Sequence, residues 1–194
     1  MKATYLASSL IALSLLLPAS SGVVRIEAAQ HGGAQHMSHS ASTLPGAVRR
    51  ATARFLDVDD AIAAGYVQFQ GCVSGQNLGA MGVHYVNPAL FDDRLEVDQP
   101  EAPVYEPKRG RRLQLVAVEY ITPAAAWQGS HDVGVQPDLN GHLFHFAPGP
   151  NRYGPDAFFE LHVWAWKDNP RGTFADWNPR SLVRIGRGNR SATL

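Results

Sequence analysis

The residues best placed to do chemistry lie in one short stretch, "FFELHVWAWKDNP", residues 158–170. Read as a strand, with side chains alternating between faces, it puts Glu160, His162, Trp164 and Trp166 on one side. Phe159, Leu161, Val163 and Ala165 fall on the other, an ordinary core face. An acid and an imidazole two residues apart on one strand face can both reach a single bound ion. Three other β-rich segments carry ionisable side chains: His84 in "VHY", Glu119 in "VEY", and His142 with His145 in "HLFH". Alternation sets Glu119 beside Leu113, Leu115, Ala117 and Ile121. A carboxylate on an apolar face is costly unless it is paired, protonated or bound to a cation. His84 shares its face with Val86 and is expected to be partly buried.

Two readings follow. In one, His84, Glu119 and His162 converge on a divalent metal, with Glu160 beside them as a candidate proton acceptor. Two imidazoles and a carboxylate with an open position suit zinc, and also copper or iron. In the other, the same groups form a buried hydrogen-bond network that only fixes the sheet. The spacing alone does not choose, because the chain has no HExxH, HxH or CxxC motif. Trp164 and Trp166, with Tyr85, could instead line a small-molecule or carbohydrate site, or the indoles could pack beneath the coil that follows. The three function classes differ in what they require. A metal site needs side chains converging on one point, a binding module needs an open groove with exposed indoles, and a structural envelope protein needs a closed, fully hydrogen-bonded cluster.

These residues must be held by a β-rich frame. A helix is expected from Pro45 to Ala64, with an apolar stripe at Val48, Ala51, Phe55, Val58, Ile62 and Tyr66. Strands are expected at 83–87, around Val104–Tyr105, and at 113–122, 142–147 and 158–166. The glycine-rich stretch before Val83 reads as a loop, and so do residues 123–141. It is not a phosphate loop, having no GK[ST] ending. One helix followed by four or five strands predicts an α+β domain, an antiparallel sheet with one long N-terminal helix packed on it.

Formal net charge is zero, which provides no basic field for nucleic acid. Lys2, the apolar run Leu6–Leu17 and the small residues after Pro18 have the layout of a secretory signal peptide over 1–21. The run is too short to span a membrane. Residues 22–43 read as a His/Gly/Ser-rich linker carrying His31, His36 and His39, 44–179 as the single folded domain, and 180–194 as a basic, disordered tail. An exported, periplasmic or extracellular protein is expected. Its one cysteine, Cys72, has no internal partner, and a Cys72–His84 nucleophile is the remaining chemical use for it.

"GAMGVHYVNP" (79–88), "LVAVEYITP" (115–123) and "ELHVWAWKDNPRGTFADWNP" (160–179) together resemble a family of small exported bacterial proteins with no assigned activity. The resemblance runs from Val48 to Pro179. It implies a second cysteine shortly after the last "NP", bridged to the position of Cys72. Here "RSLVRIGRGN" follows instead, so that bridge is lost. It also implies that His142 and His145 stand outside any shared site.

Overall fold

The computed structural model describes residues 43–108, 112–151, 154 and 156–181. The expected signal peptide 1–21, the expected linker except Thr43, and the part of the expected tail beyond Ser181 lie outside the described residues. The α+β class with an antiparallel sheet stands, but with six strands. Helices α1 (Leu44–Thr52) and α2 (Val58–Ala63) precede strands β1 (Val67–Gly75), β2 (Gly79–Val86), β3 (Ala102–Pro107) and β4 (Leu113–Pro123). Helix α3 (Ala124–Ser130) follows, then β5 (Asp138–Leu139), β6 (His142–Leu143), β7 (His145–Ala147) and β8 (Phe158–Val163). The main sheet runs β1-β2-β3-β4-β8-β7, and β5 with β6 forms a separate two-stranded ribbon.

The expected single long helix is broken. A 3-10 turn, Ala53–Phe55, ends its first half. Asp57 then caps α2, its carboxylate accepting the Asp59 N–H at 3.1 Å. The break resets the helical phase. Val48 and Phe55 stay buried, whereas Ile62 turns to solvent and Ala61 takes the buried position. Both halves pack on one face of the sheet. Leu44 and Val48 meet Val118, Tyr120, Leu161 and Val163, and Phe55 and Ala61 meet Tyr66, Val83, Tyr85, Tyr105 and Leu115. The Tyr105 hydroxyl donates to the Phe55 carbonyl at 2.8 Å, and the Trp166 indole N–H to Thr52 Oγ1 at 3.0 Å.

The glycine-rich stretch expected as a loop is the β1–β2 hairpin. Its register shifts between Phe69↔His84 and Val73↔Gly82, so Gln70, Gly71 and Cys72 oppose Val83 alone. Two extra residues preserve the alternation, so Val67, Phe69 and Val73 keep one facing. Gly82 is needed as glycine: its φ is +131°, and a Cβ would lie 2.7 Å from Val104 Cγ1. The expected strand 142–147 is interrupted at the buried Phe144, and the region 123–141 contains α3.

Residues 167–181 fold back over the sheet end. Asn169 Nδ2 donates to the carbonyls of Ala175 and Trp177, and Asn178 Nδ2 to that of Asp168. Lys167 Nζ pairs with Glu106 at 2.6 Å and donates to the Arg180 carbonyl at 2.8 Å. Ser181, which the sequence reading placed in the tail, is buried here.

Candidate functional site

Among the described residues, helices α1 and α2 pack on one face of the main sheet, and the ionisable row lies on the other. Register places the side chains. His84 on β2 opposes Val104 on β3, which opposes Ala117 on β4. Ala102 opposes Glu119, and Glu119 opposes His162 on β8. Glu160 follows on the same face of β8, opposite Ile121. A bulge in β4 sets this phase. Tyr105 pairs with Leu115 but Val104 pairs with Ala117, so Val116 is the extra residue. The expectation that Leu115 shares the face of Glu119 is therefore corrected. Leu115 packs on the helix side with Tyr105, while Ala117 and Glu119 turn to the other face.

His84, Glu119 and His162 come together, each with a ligand atom within 4.8 Å of the others. His84 Nε2 lies 3.1 Å from Glu119 Oε2. Two atoms each bound to one metal at about 2.0–2.2 Å sit roughly 2.9–3.5 Å apart, so this spacing fits a shared ion. The two imidazoles meet edge to face with centroids 6.1 Å apart, and the Trp164 indole closes the far side of His162 at 4.9 Å. His84 and Glu119 are 5% exposed and His162 1%. His84 Nδ1 and both ring nitrogens of His162 are buried without a hydrogen-bond partner among the described residues. Buried polar groups in proteins are nearly always paired. A bound ion would satisfy one of the two His162 nitrogens, which a purely structural cluster leaves unpaired.

Burial sets the protonation states. It pushes the Glu160 carboxyl up to about 10, reinforced by the charge of Glu119 and a hydrogen bond to it. Glu119 is raised to about 7 by burial, opposed by that bond. His84 is pulled down to about 4 by burial, the Glu160 charge and the Gly82 backbone opposing it. His162 falls well below its ordinary value, through burial and then the neighbouring His84. Near neutrality the order of these values leaves Glu160 protonated and donating to Glu119, with both imidazoles uncharged. Neutral imidazole is the form that binds a metal, and a bound cation would itself favour the ionised form of Glu119.

His84 and Glu119 of the cluster lie at the floor of a cavity of about 370 Å³, with His162 buried behind them. Its walls are apolar: Val67, Phe69 and Val73 from β1, Val86 from β2, Phe91 from the β2–β3 connection and Ile121 from β4. His84, Glu119 and Glu160 line the floor. An apolar cavity with a few convergent polar groups is the usual form of a small-molecule site.

Three expected site residues are elsewhere. Tyr85, adjacent to His84 in the strand, points to the helix face, its ring 5.3 Å from that of Tyr105. Trp164 shares the face of His162 but is 3% exposed, its indole donating to the Ala175 carbonyl at 2.6 Å beneath the 167–179 coil. Trp166 lies beyond the end of β8, where alternation no longer holds, and its indole bonds Thr52 on the helix side. Neither indole lines the cavity, so a groove of exposed tryptophans is absent among the described residues. His142 stacks on Phe174 at 3.9 Å; His145 opposes Glu160 across the β7–β8 ladder but pairs with Asp176 at 3.2 Å, and neither histidine lines the cavity. Cys72 packs with the helix-side cluster, on the face opposite His84, and burial followed by the Glu106 charge pushes its thiol up. Both observations count against a thiolate nucleophile.

Sequence reasoning missed the apolar walls and Glu101. Val67 and Phe69, alternating just after the helix, were the available signal for β1. Glu101 is 2% exposed, its carboxyl raised to about 8 by burial, and it accepts the Ile121 N–H at 2.9 Å. It satisfies a β4 donor just beyond the start of the β3 ladder.

No protein-family model, curated protein or solved structure matches the chain. Among the described residues no helix is long and apolar enough to cross a membrane.

Proposed function

We propose that this is an exported protein carrying one divalent metal ion on His84, Glu119 and His162, at the floor of an apolar small-molecule pocket. The observation that carries the reading is the convergence of one ligand atom each from buried His84, Glu119 and His162 within 4.8 Å of one another, with both ring nitrogens of His162 unpartnered. Two imidazoles and one carboxylate suit zinc first, and iron or copper next. Bound there, the metal would supply Lewis acidity or an activated water. Glu160, at the floor and hydrogen-bonded to Glu119, is the group able to pass a proton to or from a ligand in the pocket. The resemblance to small exported bacterial proteins and the signal-peptide layout of residues 1–21 belong to the same reading.

The test is metal content by elemental mass spectrometry on the full chain. His31, His36 and His39 are replaced by Ala throughout, so that the linker contributes no ligands. About one equivalent is expected, and none in the His84→Ala/His162→Ala double variant. No metal in either, after soaking with zinc, copper and iron, would leave a polar pocket floor in place of a metal centre.

A further inference from the structure

The pocket says more about its occupant than the metal reading does. Its side walls are hydrocarbon, and Val67, Phe69 and Phe91 carry that character out to solvent at 57%, 37% and 40% exposure. Exposed apolar side chains grouped at the mouth of a cavity mark a binding surface more often than chance placement. Among the described lining residues there is no Lys or Arg, while Glu119, Glu160 and Asp156 are acidic. In the metal-free pocket a carboxylate or phosphate would be stripped of water and meet only acidic side chains. An ammonium head would have to give up its hydration among hydrocarbon walls before reaching the floor. A hydroxyl or carbonyl fits the floor without that cost. The floor offers two carboxyl groups and an imidazole, and a hydroxyl, which both donates and accepts, can pair with any of them. The volume admits about a dozen non-hydrogen atoms at roughly 30 Å³ each, the share of a water molecule.

We propose that the pocket binds a neutral, largely hydrocarbon molecule of about a dozen non-hydrogen atoms, whose single hydroxyl or carbonyl end meets His84, Glu119 and Glu160. This deepens the reading above, since the same floor is the polar end of the site, but it does not require the metal to be bound.

The experiment uses the full chain, dialysed against a chelator, with 2-naphthol, a neutral fluorophore within that size, in the pocket. Displacement is measured by fluorescence at neutral pH with 1-decanol, decanoate and decylamine. Decanol is expected to displace the probe at least ten times more effectively than either charged analogue. Ile121→Trp, which fills the cavity from a wall, and Val67→Glu, which places a charge at its exposed mouth, are each expected to weaken decanol at least tenfold. Circular dichroism checks that both variants fold. Decanoate or decylamine matching decanol, displacement by none of the three, or two folded variants that bind as the wild type does would each overturn the proposal. The metal reading is decided separately by elemental analysis of the undialysed protein. Decanol selectivity without metal leaves this proposal standing alone, and metal without decanol selectivity leaves the other.

Discussion

Replacing His162 by Phe should make the metal-free protein more stable, an unusual outcome for a fully buried position. The ring is 1% exposed and both its nitrogens lack partners. Each unpaired buried polar atom costs about 1–3 kcal/mol. Phe keeps an aromatic ring against Trp164 and His84 and removes both atoms. It is somewhat larger, and overpacking a tight site costs about 1–3 kcal/mol. The balance is a gain of about 1–3 kcal/mol, which in a domain of this size raises Tm by roughly 3–9 °C. Thermal and urea unfolding in the presence of a chelator read this directly. Added zinc should then raise the Tm of the wild type and leave the variant unmoved, because ligand binding to the folded state alone stabilises it. A chelated variant less stable than wild type by more than about 1 kcal/mol would refute the reasoning. It would mean that the imidazole nitrogens are satisfied in the folded protein and that His162 is a structural residue.

Glu101 has a folded-state value of about 8, raised by burial, against an ordinary carboxyl value in the unfolded chain. Its contribution is fully present below the unfolded value and is lost as pH rises through 8, at about 1.4 kcal/mol per pH unit. Glu101→Gln should therefore be more stable than wild type at pH 8, with a flatter urea-midpoint profile between pH 5 and 8; equal slopes would contradict the assignment. Gly82→Ala should destabilise by on the order of 2–4 kcal/mol in urea unfolding, from left-handed backbone strain and the clash with Val104. Cys72→Ser should leave metal content and decanol binding unchanged, because the thiol packs on the opposite face of the sheet from the pocket; loss of either would return Cys72 to the site.

Strand alternation was enough to find the ionisable row. His84, Glu119, Glu160 and His162 each stand out as a polar residue in an apolar strand, and neighbouring strands put all four on one face. What periodicity cannot carry is a change of phase. The extra residue at Val116 moves Leu115 to the other side of β4, and the Asp57 cap restarts the helix that a continuous apolar stripe implied. The end of β8 at Val163 sends Trp166 to the helices, although the alternating pattern continues in the sequence. Strand β1 was hidden for a related reason. Its bulge places Gln70, Gly71 and Cys72 between Phe69 and Val73, which disguises two short apolar pairs as a glycine-rich loop. The conspicuous "KDNPRGTFADWNP" segment proves to be a cap over Trp164, held by the amides of Asn169 and Asn178. Its unusual composition reflects turn geometry rather than a place in the pocket.

The most direct test of the metal centre is X-ray absorption at the edge of the metal found in the purified chain, or of zinc added to the apoprotein. The account predicts two imidazole nitrogens and one carboxylate oxygen at about 2.0–2.2 Å, with the imidazole scattering lost in His84→Ala/His162→Ala. A spectrum with only light oxygen scatterers, or one unchanged in that double variant, would contradict it.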